Sequence, residues 1–224
     1  MNVRPLRFVP AALLTGALVL AGCGSSGSSS SSTSTSSSSS ASATSSSGTT
    51  IGYAGVALEQ GRELAAASTT TSGGAINGIK CGAVEQLAYH IHAHLAVYVN
   101  GTPRALPAGI GIPGAVVQNT QSGPVVGNGT CFYWLHTHTT DGVIHIESPT
   151  QRIYTLGNFF DEWRQALSAN QVASSTGKVI AFYNGKPWTQ SPRSIPLEPH
   201  AAIQLDVGAP ATSFQPMSFA GTSL

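Results

Sequence analysis

The stretch "YHIHAHLAVYVNG", Tyr89 to Gly101, sets three histidines at every second position directly ahead of an Asn-Gly pair. Ile91, Ala93, Leu95, Val97 and Val99 take the odd positions, and His90, His92, His94, Ala96 and Tyr98 the even ones. Period two with β-branched residues on one side is the pattern of a half-buried strand. Asn100-Gly101 supplies the positive backbone angles of a type I′ hairpin turn. The return strand is short, because Pro103 and Pro107 restrict pairing to an edge. One face of this hairpin is therefore apolar, and the other carries imidazoles.

A second stretch, "WLHTHTTDGVIHIES" (Trp134 to Ser148), adds His136, His138 and His145, so six of the seven histidines fall in two short segments. With Asp141-Gly142 as the centre of a tight turn, Thr140 faces Val143, His138 lands opposite His145, and His136 lands opposite Glu147. All four side chains then share one face, with direct partners about 5 Å apart at Cβ. Leu135, Ile144 and Ile146, of opposite parity, face the core.

His136, His138, His145 and Glu147 are thus candidate metal ligands, and the strand of His90, His92 and His94 packed alongside adds three more. Neutral imidazole suits Zn, Cu, Fe and Ni, and a thiolate-free set of histidines points to Cu(II) or Zn(II), with the affinity order favouring copper where it is available. Met217 is the only methionine besides Met1, which argues against a blue-copper site. Two histidines with Glu147 could instead form an iron-type facial triad. The metal-free alternative is a sheet face of partly exposed histidines that repel one another once protonated. Ligand histidines must be neutral, so metal affinity is expected to fall as pH drops through about 6. His200, isolated after Pro199, is read as structural.

Outside these segments, "TLGNFFDEWRQALS" predicts a helix capped by Thr155, with Leu156, Phe159, Phe160, Trp163 and Leu167 on one face. "KVIAFYNGKPW" is a further strand with an Asn184-Gly185 hairpin, and "HAAIQLDVG" (His200 to Gly208) is a last strand. Gly109 to Gly129 reads as loop. The fold class expected is α+β, mainly antiparallel β, with about six or seven strands, two Asn-Gly hairpins and one amphipathic helix. A small β-sandwich or barrel is the alternative.

The N-terminus is organised differently. "MNVRPLRFVPAALLTGALVLAGC" has Arg4 and Arg7, an apolar run, and small residues before Cys23. This is the layout of a secretory signal. Leu20-Ala21-Gly22-Cys23 resembles the lipobox of bacterial lipoprotein signal peptides, which implies cleavage before Cys23 and lipidation of its thiol. An ordinary signal peptide with a Cys at that place by chance, or an uncleaved anchor too short to span well, is the alternative. Residues 1–22 are then the signal peptide, and 23–50 a lipidated Cys with a Ser-rich tether. That tether has no charge and nothing larger than Thr, so it is expected to be disordered, spanning about 30 Å on average. Residues 51–72 are a linker with a short helix over Val56 to Ala67, 73–210 one His-rich β domain, and 211–224 a flexible tail. The expected location is the extracytoplasmic side of the cell envelope, with the membrane reached through the lipid. In that oxidising setting Cys81 and Cys131 are expected to pair, a thiolate ligand being the alternative.

Charged residues make up only 8% of the chain and the net charge is +1, so there is no electrostatic footprint for nucleic acid. No Gly-x-Ser-x-Gly elbow or phosphate-cradling glycine loop is present, and no catalytic residue is assigned. "HIHAHLAVYVNG", "CFYWLHTHTTDGVIHIESP" and "TLGNFFDEW" together resemble a group of secreted bacterial lipoprotein-like proteins sharing this motif set. The resemblance spans Cys81 to Gly208 and implies that these segments belong together, without implying an activity. Cu/Zn superoxide dismutases and cupins also use His-x-His strands, but the later ligand spacing of both is missing. Three functions follow from the residues: metal capture, storage or delivery; a metal-dependent enzyme; or a metal-free envelope interaction protein with a pH-sensitive histidine face.

Overall fold

Alternation over Tyr89 to Val99 produces one long strand, β1 (Tyr89–Val99), and the main sheet is arranged about it. The computed structural model describes residues 49–67 and 74–224. The expected signal peptide, Cys23, most of the Ser-rich stretch and residues 68–73 lie outside them.

Asn100 and Gly101 both take positive φ, 51° and 73°, and turn the chain directly into β2 (Thr102–Arg104), as the Asn-Gly pair predicts. The remaining strands of the main sheet are β3 (Leu135–His136), β4 (Val143–Ser148), β5 (Val179–Tyr183), β6 (Lys186–Trp188) and β7 (Ala201–Val207). β5 and β6 form the second Asn-Gly hairpin, through Asn184 and Gly185. The sheet runs β6-β5-β7-β1-β4-β3, and β2 lies beside the second half of β1. The described residues are therefore mainly β with a single α-helix, and the sheet does not close into a barrel.

One pairing departs from the antiparallel expectation. β7 runs parallel to β1, with Ala201 opposite Ala93 and Val207 opposite Val99. A central parallel pair is buried on both faces, and both faces are covered here. On one, Ala93, Leu95, Val97, Leu135, Ile144, Ile146, Ile203 and Leu205 form the core with helix α1 (Leu156–Trp163). Thr155 caps this helix with Asn158 in a reciprocal capping box, and Leu156, Phe159, Phe160 and Trp163 are fully buried. The helix is shorter than its apolar spacing predicts. Arg164 adopts the left-handed conformation and its N–H returns to Asp161 and Phe160, so Leu167 reaches the core from a short strand instead.

The other face is polar and is covered by segments that the sequence places elsewhere. The expected helix over Val56 to Ala67 does not form. Gly61 has φ +96°, and the amides of Glu59 and Leu64 donate to Thr140 and Ala105 rather than one turn back. The tail is not free either. Thr212 N–H donates to Asp206, Gln215 N–H to Gln204, and Phe219 stacks on His200 at 4.5 Å. Within the expected loop Gly109 to Gly129, Val117–Thr120 and Gly123–Val126 pair as a hairpin.

Candidate metal centre

β1 sets His90, His92 and His94 opposite Glu147, His145 and Val143 of β4. On the far side of β4, β3 places His136 opposite His145 and Leu135 opposite Ile146. This differs by two residues from the register that a tight Asp141-Gly142 turn predicts, which sets His138 against His145 and His136 against Glu147. The reversal is wider because the chain leaves the sheet after His136. Thr137 N–H donates to Ile110 at 3.1 Å, Val126 N–H donates to His138 at 2.8 Å, and the Asp141 carboxylate accepts from Val143 N–H at 3.0 Å. A slip of two preserves side-chain parity, so His136, His145 and Glu147 still share a face. Gly111, at φ +73°, lets the 109–112 segment lie on β3. A Cβ there would press on the Leu135 carbonyl and stand 3.0 Å from His136 Cβ.

Donor atoms of His136, His138, His145 and Glu147 all lie within 4.8 Å of one another, and so do those of His90, His92 and His145. The buried His/Glu cluster can hold a metal ion. The rings of His136 and His138 are the best defined. Nδ1 of His136 is 2.8 Å from the Tyr133 carbonyl, and Nδ1 of His138 is 2.6 Å from the Val126 carbonyl. A carbonyl oxygen only accepts, so each Nδ1 carries the proton and each Nε2 presents a lone pair. Those two Nε2 atoms face each other at 3.1 Å. Glu147 Oε1 sits 3.1 Å from His90 Nε2, 3.4 Å from His145 Nδ1 and 3.8 Å from His136 Nε2. His145 Nδ1 and Glu147 Oε2 are buried and have no hydrogen-bond partner.

Burial controls the protonation of the cluster. Desolvation, reinforced by neighbouring imidazoles, lowers His136 to about 3 and His92 to about 4, and holds His145 well below its usual range. His136, His92 and His145 are therefore neutral at physiological pH, the form a metal takes. Desolvation, with the nearby Glu85 charge, raises Glu147 to about 8. Glu147 is thus the cluster group that carries a proton near neutral pH, while His136 and His92 gain one only in stronger acid.

Glu85 is a cluster neighbour that the sequence did not single out. Its Oε1 stands 3.3 Å from His138 Nε2, and its segment carries no pattern that would have pointed there. It lines a mouth of about 230 Å³ together with Tyr53, His90, His92, His138 and Leu224. His94 is set apart from both groups of converging donors. Its ring donates to the Asp141 backbone carbonyl, and it borders a separate cavity of about 540 Å³ beside Glu59 and Tyr98. Cys81 and Cys131 form a disulfide with a Cα separation of 5.5 Å, so neither is a thiolate ligand. No known protein family matches the chain, and no curated protein or solved structure is similar to it.

Proposed function

We propose that this chain is a lipid-anchored extracytoplasmic protein that binds Cu(II) or Zn(II) at His136, His138, His145 and Glu147, for capture, storage or delivery of the ion. The observation that carries the metal reading is the His136–His138 pair. Two lone pairs at 3.1 Å repel unless a cation lies between them, either a second proton or a metal ion. Full burial opposes a proton on His136. Two donors at about 2.05 Å from one ion and 3.1 Å apart subtend about 100° at it, which suits tetrahedral or square coordination. The carbonyls of Tyr133 and Val126 supply the outer contacts that orient metal-bound imidazoles. Imidazole and carboxylate donors without thiolate favour copper or zinc. The anchor reading rests on Arg4, Arg7, the apolar run and Leu20-Ala21-Gly22-Cys23.

The test is elemental analysis of protein exported to a periplasm and purified without a polyhistidine tag, beside the His136→Ala/His138→Ala variant. Near-stoichiometric copper or zinc that the double substitution abolishes is the expected result. A wild-type protein that takes up neither metal on incubation sinks the reading.

The mouth of about 230 Å³ beside the cluster favours one further reading, a metal-dependent enzyme with a coordination position open to a small substrate. A change in the copper absorption spectrum on adding azide would support it. An unchanged spectrum leaves the binding role.

A further inference from the structure

The cluster holds more donors than one ion needs. His136, His138, His145 and Glu147 already complete a four-coordinate shell. His90 and His92 remain, and their Nε2 atoms stand 3.0 Å apart, nearly the spacing of the His136–His138 pair at 3.1 Å. Ligands about 2.05 Å from one ion are separated by roughly 2.9–3.4 Å at square or tetrahedral angles. Each histidine pair therefore has the length of one edge of a coordination polyhedron, and the cluster has two such edges.

Glu147 and His145 lie between them. Glu147 Oε1 is 3.1 Å from His90 Nε2 on one side and 3.8 Å from His136 Nε2 on the other, while its Oε2 is buried without a partner. His145 is paired in the sheet with His92 on one side and His136 on the other, and it belongs to both groups of converging donors. Its ring centroid is 4.6 Å from that of His92 and 4.6 Å from that of His138. A carboxylate with two oxygens placed between two imidazole pairs is the arrangement of a bridged two-metal site, where ions sit about 3.5–4 Å apart.

We propose that His90 and His92 hold a second transition-metal ion beside the first, with the Glu147 carboxylate bridging the two. This rests on the metal reading of the inner cluster and extends it. The inner ion has donors from buried side chains only, whereas the outer one uses His90, which is on the exposed rim of the mouth. The inner position fills first and holds its ion longer. The outer position exchanges with solvent.

The experiment titrates the whole chain, made without a polyhistidine tag, with Cu(II), following bound copper by equilibrium dialysis and paramagnetism by EPR. Two equivalents are expected to bind, the first giving the signal of an isolated Cu(II) ion. The second should reduce the integrated signal per copper by at least half, because bridged Cu(II) ions couple. The single variants His90→Ala and His92→Asn, shown folded by circular dichroism, should each bind one equivalent with the full signal. A wild-type protein that saturates at one equivalent overturns the second ion and leaves the first standing. Two equivalents retained in both variants also overturn it. No bound copper in the wild type overturns the second ion and the metal reading together.

Discussion

The backbone carbonyl of Tyr133 accepts a hydrogen bond from Nδ1 of His136 at 2.8 Å, and this contact decides which nitrogen of the ring faces the cluster. Tyr133 is itself held in register by Cys81, its partner across a two-residue ladder, and Cys81 is bonded to Cys131. The covalent crosslink therefore stands two residues before the carbonyl that orients a metal ligand.

Removing the disulfide should act on both stability and metal binding. It closes a loop with a sequence separation of 50, which the chain-entropy account values at about 4 kcal/mol. Cys81→Ala/Cys131→Ala is expected to unfold at clearly lower urea than the wild type. Its copper affinity should fall roughly ten- to a hundredfold, the usual cost of disturbing an outer-shell contact. Competition with a chelator of known affinity measures the second effect. An unchanged affinity would separate the crosslink from ligand orientation.

Metal binding at neutral pH should release a proton from Glu147. Burial raises this carboxyl to about 8, so it is protonated at pH 7 before the ion arrives. Affinity should fall by up to about tenfold per pH unit below 8, while His136 and His92, lowered to about 3 and 4, add their own competition only in stronger acid. Calorimetry in buffers of different ionisation enthalpy reads the proton directly. Glu147→Gln should bind more weakly and with a flatter profile between pH 8 and pH 5. A wild-type profile flat down to pH 6.5 and steep below it would return the competition to ordinary imidazoles.

Asp141 gives a stability test that does not involve the metal. It is almost fully buried, and desolvation raises it to about 6 from an ordinary value of 3.8. A raised folded value means that its contribution is fully present below pH 3.8 and is lost as pH rises through 6. Asn keeps an oxygen for the Val143 N–H and does not titrate. The stability of Asp141→Asn relative to wild type should therefore improve by roughly 2–2.5 kcal/mol between pH 4 and pH 7 in metal-free urea unfolding. A constant difference across that range would contradict the assignment.

His94 should behave as a structural histidine. It shares the parity of His90 and His92, but its ring is turned to the Asp141 carbonyl at the far end of the cluster. His94→Leu is expected to lower stability by about 1–3 kcal/mol, the cost of leaving a buried acceptor unpaired. Copper stoichiometry of the folded protein should not change. Loss of an equivalent of copper in this variant would return His94 to the ligand set.

Alternation along Tyr89–Val99 and Val143–Ser148, the two Asn-Gly turns and the capped run from Thr155 were legible because each is local, set by side-chain period, turn stereochemistry or capping. Local parity was enough to gather His90, His92, His136, His145 and Glu147 on one face, and it survived a two-residue error in register because the pleat repeats every two residues. Parity says nothing about distance along a strand, so His94 could not be told from its neighbours. The tertiary structure decided what depends on contacts between distant segments. Those are the parallel docking of β7 on β1, the strap over Val56 to Ala67, and the Ile110 and Val126 contacts that pull Thr137 and His138 out of the sheet. Tertiary packing also brings Glu85 to His138 and buries the polar face, and that burial lowers His136 and raises Glu147. The sequence by itself determined which residue types meet on the face; burial, which no local pattern encodes, determined their protonation.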